Sequence, residues 1–264
     1  MSEFWILRSF GPLFFALLAF FILLLVVASL LVKGKSERTK VLVICITCWV
    51  TLIGFFFYKY ALSLDEEFAL LTADMGGFNW WGELPLQLCN INLIIIPIAV
   101  LTKKRPLLSF CFFVGPLGAF MAIMMPSMGF DGYSFFLPRM LGFYITHYVV
   151  MIASLAIGTF GLYRPKWSDL PRMGLALLVI GFIVFCFNLV LRYTGLHPKA
   201  NYFFSVETEG NPLLEFFYRF LPYPFLYLVP NLLVLWGYAV PIVLGYQIAD
   251  SVKKKKAQNT LSYE

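Results

Sequence analysis

Residues 80–92 read WWGELPLQLCNIN, and the fold turns on how they are read. Trp80 and Trp81 carry amphipathic rings of the kind that settle at a membrane–water interface. Pro85 suits a first helical turn, where the ladder needs no backbone N–H. Gln87, Cys89, Asn90 and Asn92 then set a thiol among carboxamides at the head of the apolar run LIIIPIAVL, residues 93–101. Polar groups in hydrocarbon are costly unless they are paired or line a wet cavity. The stretch therefore reads as an aromatic rim, then the first turns of a membrane span that carries a site. The rest of the chain reads as a cage around it.

Composition supports that reading. The chain is 61% hydrophobic and 13% charged, with a mean hydropathy of +0.83, whereas a soluble domain is nearer ~25% charged. The expected fold is an all-α polytopic membrane protein with seven transmembrane helices. They fall at about residues 10–32, 41–60, 84–101, 107–125, 138–162, 173–193 and 224–247. Each is near the ~20 residues that cross ~30 Å of hydrocarbon. The fourth is expected to break at Gly115-Pro116. Residues 1–252 make one transmembrane domain and residues 253–264 a basic tail. The first apolar run is longer than the ~7–15 residues of a signal-peptide core, so an uncleaved anchor is expected.

Charge orients the bundle. The loops after the first, third and fifth spans, with the tail, hold 14 of the 20 basic residues. The opposite loops hold most of the acids, including Asp65, Glu66, Glu67, Asp74, Glu83, Glu207, Glu209 and Glu215. The positive-inside rule then puts the N-terminus outside and the C-terminus in the cytoplasm, in the cell membrane. The net charge of +6 is a topology signal, and no nucleic-acid partner is expected. Two outer loops, 61–83 and 194–223, are longer than turns. The second contains EFFYRF, residues 215–220, which reads either as a short interfacial helix or as an irregular connector.

Five cysteines occur, at 45, 48, 89, 111 and 186. Cys45 and Cys48 form a CxxC in mid-span, where free cysteines behave as small hydrophobes. Of two histidines, His197 lies in an outer loop and reads as solvated, while His147 lies inside the fifth span. An ionisable residue there is rare and faces the interior. The third and fifth spans run in the same direction, and Cys89 and His147 fall at similar depth at ~1.5 Å per residue. A thiol is a weak nucleophile at its free pKa near ~8.5, and a neighbouring imidazole can take its proton. Asn188 and Asn231, at comparable depth, are candidates to orient His147 or stabilise an oxyanion, or else act as interhelical glue. No metal is expected, because Cys89 and His147 make only two ligands where zinc needs three or four. No cofactor is expected either.

LPLQLCN at 84–90, FYITHY at 143–148 and NYFF…NPLLEFFYRFLPYPFLYL at 201–228 resemble the YwaF-type family of bacterial integral membrane proteins. That family is similar to an animal transmembrane acyltransferase that builds polyunsaturated ether phospholipids. The resemblance implies a catalytic cysteine and a downstream histidine, at the positions of Cys89 and His147. Gln87 stands where the bacterial motif usually has a histidine. Together these readings predict acyl transfer to, or hydrolysis of, a membrane lipid through a Cys89 thioester, with Gln87, Asn90, Asn92, Asn188 and Asn231 around it. The alternative is a protein that binds or moves a small solute through the same pocket. The oligomeric state is left open.

Overall fold

Long apolar runs can satisfy their backbone in lipid only as helices, and the chain is built from them. The computed structural model describes residues 3–73, 77–126 and 129–261. Asp74 and Gly76 fall outside these. The helices are α1 (Pro12–Leu31), α2 (Glu37–Ser63), α3 (Glu66–Leu71), α4 (Asn92–Thr102), α5 (Arg105–Met124), α6 (Pro138–Thr159), α7 (Asp169–Tyr193), α8 (Pro212–Tyr218) and α9 (Asn231–Leu261). Among the described residues, six helical stretches are long and apolar enough to cross a membrane: α1, α2, α5, α6, α7 and Leu226–Lys255. Large apolar side chains such as Phe20, Leu23, Leu30, Phe57 and Ile183 are exposed on them, as expected of a surface covered by lipid.

The central pillar is α6. It packs against α1, α2, α4 and α5, and 72% of its apolar window is buried, against 17% for α1. Glycines let its neighbours approach, as in membrane bundles generally. A Cβ on Gly142 of α6 would sit 2.1 Å from Cγ of Tyr58 on α2. A Cβ on Gly115 of α5 would sit 2.1 Å from Ser154 Oγ on α6.

Ion pairs fasten both ends of the bundle. At the basic end, Arg105 clamps Asp169, which also accepts from Tyr163 Oη at 2.9 Å, and Arg164 pairs with Asp250. At the acidic end, the buried Arg139 pairs with Asp65 at 2.7 Å and Glu67 at 2.6 Å, and Lys59 pairs with Glu83. A two-residue strand, Ile6–Leu7, pairs antiparallel with Tyr133–Ser134 and ties the start of the chain to this end. The 215–220 segment contributes to α8, a short helix whose start is capped by Asn211 Oδ1 accepting from Leu213 and Leu214 N–H.

Two expectations change. The helix expected over 84–101 begins only at Asn92, and residues 84–91 are turns. Pro85 removes one ladder donor, and side chains intercept others. Leu84 N–H donates to Tyr202 Oη at 2.9 Å, and Asn92 Nδ2 donates to Leu88 O at 2.8 Å. At ~1.5 Å per residue α4 spans only ~16 Å. Conversely, α5 runs unbroken through Gly115-Pro116. Residues 110–116 are all buried there, and close packing holds the helix across the missing hydrogen bond.

Candidate active site

Cys89 lies in the unwound segment, three residues before the start of α4. Its Sγ is 3.1 Å from His147 Nε2. The other ring nitrogen, Nδ1, is 2.6 Å from Phe143 O. A carbonyl only accepts, so Nδ1 carries the hydrogen. That leaves the Nε2 lone pair facing the thiol, the tautomer a proton acceptor requires. The imidazole also packs against the Phe143 ring, with centroids 4.3 Å apart. His147 is buried, whereas Cys89 is only half-buried. The base is thus held by α6, while Cys89 keeps part of its surface exposed.

Unwinding before α4 has a second effect. Among the described residues, the backbone N–H groups of Cys89 and Asn90 have no backbone acceptor. The start of a helix favours negative charge through its free N–H groups.

The carboxamides divide into two groups. Asn188 is fully used in holding the outer loop: Nδ2 donates to Tyr202 O at 2.8 Å and Ser205 Oγ at 2.9 Å, and Oδ1 accepts from Tyr202 N–H at 3.0 Å. Gln87 Oε1 accepts from Phe203 N–H at 3.0 Å, and Phe203 has a left-handed backbone, φ 62°. Asn231 Nδ2 donates to Leu228 O at 3.1 Å at the start of α9. These three brace the backbone. Asn90 Oδ1 and Asn92 Oδ1 are buried with no hydrogen-bond partner among the described residues. His197 is half-buried rather than solvated. Its Nδ1 lies 3.3 Å from Asn79 Nδ2, and Gly82 leaves room for its Nε2. Among the described residues, no group of three or more His, Cys, Asp and Glu side chains is arranged to hold a metal ion.

The TMEM164 family model matches residues 8–240, nearly the whole chain, including Cys89 and His147. The chain belongs to the TMEM164 family. With its apolar helices, that makes it a multi-pass membrane protein. No curated protein and no solved structure matches it. In this TMEM164-family chain, sequence reasoning missed Lys59. Its ammonium is buried near the end of α2, pairs with Glu83, and lies 4.6 Å from the Tyr58 ring centroid and 5.3 Å from that of Phe55. Tyr58, the residue before it, packs on Gly142 of α6, five residues before His147. The signal was weak, because Lys59 stands one residue from the end of the expected span 41–60.

Proposed function

We propose that this protein is a cysteine-dependent lipid acyltransferase or acyl hydrolase, with Cys89 as nucleophile and His147 as general base and then general acid. The observation that carries it is the 3.1 Å contact between Cys89 Sγ and His147 Nε2, with Nδ1 held on Phe143 O. His147 Nε2 takes the thiol proton, and the thiolate attacks an ester carbonyl of a membrane lipid. The tetrahedral intermediate collapses, the ester C–O bond breaks, and His147 returns the proton to the departing alkoxide. An acceptor hydroxyl, or water, then gives its proton to His147 and attacks the thioester. The C–S bond breaks and the sulfur recovers the proton. The backbone N–H of Asn90, next to Cys89 in the chain, is the candidate oxyanion donor.

The orientation follows from charge: N-terminus outside, C-terminus in the cytoplasm of a cell membrane, with the site in the outer half. Seven crossings are reached if residues 84–91 and α4 together make the third. The solute-binding alternative has less to work with, since Gln87 and Asn231 already bond to backbone.

The direct test is acyl capture. Purified protein in lipid nanodiscs is given a phospholipid with labelled acyl chains, quenched in acid and digested. A hydroxylamine-sensitive acyl group on the Cys89 peptide is expected, absent in Cys89→Ser. Turnover of the lipid by Cys89→Ser at the wild-type rate would end this reading.

A further inference from the structure

The steps above leave Lys59 and Glu83 without a task, yet Glu83 lies six residues before Cys89, and Tyr58, beside Lys59, packs on Gly142, five residues before His147. A charged side chain at membrane depth is retained where it faces an interior site and has a partner. Here the partner is not on a second helix. Glu83 belongs to the segment after the 3-10 turn Trp80–Gly82, and its side chain keeps 22% exposure against 10% for Lys59. Lys59 has three N–H donors, of which Glu83 Oε2 takes one. The Tyr58 and Phe55 rings face the same ammonium.

Depth orders these groups. Tyr58 touches Gly142, so the end of α2 lies beside the start of α6. Lys59 is four residues from the end of α2, and His147 nine from the start of α6. At ~1.5 Å per residue that puts Lys59 several Å nearer the membrane surface than His147. A glycerophospholipid presents its groups in the same order, with the phosphate outermost and the ester carbonyls beneath it.

We propose that Lys59 is the phosphate-binding residue of this site, with Glu83 holding its ammonium until the phosphodiester of a glycerophospholipid displaces it. This rests on the acyl-transfer reading of Cys89 and His147. The burial cost of the lysine is met by the fold in either state, and the exchange replaces one anion by another. A neutral lipid breaks the pair without replacing it, which is strongly unfavourable for a buried charge. A lysine serves here as a point charge that a phosphate meets in many orientations. The site thereby selects phospholipids over neutral glycerides.

The experiment uses three alkylating lipids on the full-length protein in detergent, read as mass added to Cys89. One is a bromoacetyl ester of lysophosphatidylglycerol, one a bromoacetyl ester of a monoacylglycerol, and one is 2-bromohexadecanoate. In each the Cys89 sulfur displaces bromide and the thiol proton passes to His147. Lys59→Gln is expected to lower the rate with the phosphodiester reagent relative to the glyceride reagent by at least about tenfold, the scale of a charge-assisted hydrogen bond. Lys59→Arg keeps that ratio and Glu83→Gln raises it. Equal slowing of both reagents by Lys59→Gln would make Lys59 a structural residue and overturn the proposal. Selective slowing of 2-bromohexadecanoate alone would assign the anion to a fatty-acid carboxylate and overturn it as well. If Lys59→Gln does not fold, an unchanged ratio in Glu83→Gln is the overturning result. Wild-type protein in which no reagent reaches Cys89 brings down the acyl-transfer reading, and this proposal with it.

Discussion

Cys89 and Cys111 belong to the same bundle and differ in almost everything that governs a thiol. Cys111 is fully buried in the regular helix α5, and Cys48 is equally buried in α2. Both fill space between helices as small hydrophobes. Cys89 sits in a segment that gave up helical structure. It has an imidazole at 3.1 Å and backbone N–H groups with no backbone acceptor among the described residues. The difference between them lies in broken secondary structure around Cys89. A regular helix consumes its own N–H groups, and only where the ladder stops are they free to face a charge.

The largest expected effect tests this contrast directly. Cys89→Ala should reduce lipid acyl turnover to background, and His147→Ala should lower it by about 10²–10⁴-fold. The double variant should be no worse than the worse single, because the two act as a unit. Cys48→Ala and Cys111→Ala should keep turnover and lose only stability, through the cavity left behind. Initial rates and thermal melts of the five proteins decide it. A Cys111→Ala enzyme as dead as Cys89→Ala would erase the distinction between the two regions.

Gly142→Ala comes next. Its new Cβ would lie 2.1 Å from Tyr58 Cγ and 2.5 Å from Tyr58 Cβ. These atoms lie close to the α2 backbone, so no side-chain rotation clears them. The expected loss is near the upper end of the ~1–3 kcal/mol of overpacking, seen as a lowered melting temperature. Because Lys59 is the next residue on α2, labelling of Cys89 should change as well, while Cys111 stays unreactive. A melting temperature equal to wild type would mean that α2 and α6 are not in this contact.

Most of the bundle was legible because hydrophobic length is a local property. The ends of α1, α2, α6 and α7 lie within a few residues of the expected spans. The meeting of Cys89 and His147 agrees with a count of residues from each span end, although the count for Cys89 assumed a helix that begins only at Asn92. The unwinding of 84–91 was not legible, because its causes are distant. Gln87 is satisfied by Phe203, 116 positions away, and Leu84 by Tyr202. The same distance hid the role of Asn188, which holds residues 202–205. Lys59 was missed for a different reason. It stands near the end of an apolar run, where a lysine reads as an ordinary boundary, and only the fold turns it inward.

Gln87→His sharpens the comparison by asking whether the vacant base position matters. Gln87 Oε1 accepts from Phe203 N–H at 3.0 Å, and a shorter, wider ring cannot reproduce that bond. An unpaired buried N–H costs about 1–3 kcal/mol. The expected outcome is a lower melting temperature with no gain in turnover. Higher turnover at unchanged stability would show instead that the segment prefers a second histidine.

The smallest expected effect is one of pH, and it separates the two regions without touching either thiol. Burial holds His197 below its usual pKa, so the fold favours the neutral ring. Asn79 Nδ2 donates to Leu196 O at 3.0 Å and lies 3.3 Å from His197 Nδ1. In the neutral ring with hydrogen on Nε2, Nδ1 accepts that amide, and protonation removes the acceptor. The sign follows from the depressed pKa. The stabilisation is full above the unfolded value near ~6.5 and is lost as pH falls below it through the folded value. With the ring half-buried, screening keeps the loss below about 1 kcal/mol. Asn79 and His197 anchor the approach to Trp80 and Trp81, the first part of the segment that ends at Cys89. Amide hydrogen exchange should therefore rise in residues 79–84 between pH 7 and pH 5, while residues 108–114 of α5 stay protected. His197→Gln, which cannot titrate, should flatten the response. If residues 108–114 loosen in step with residues 79–84, the acid effect is global, and the two regions do not open independently.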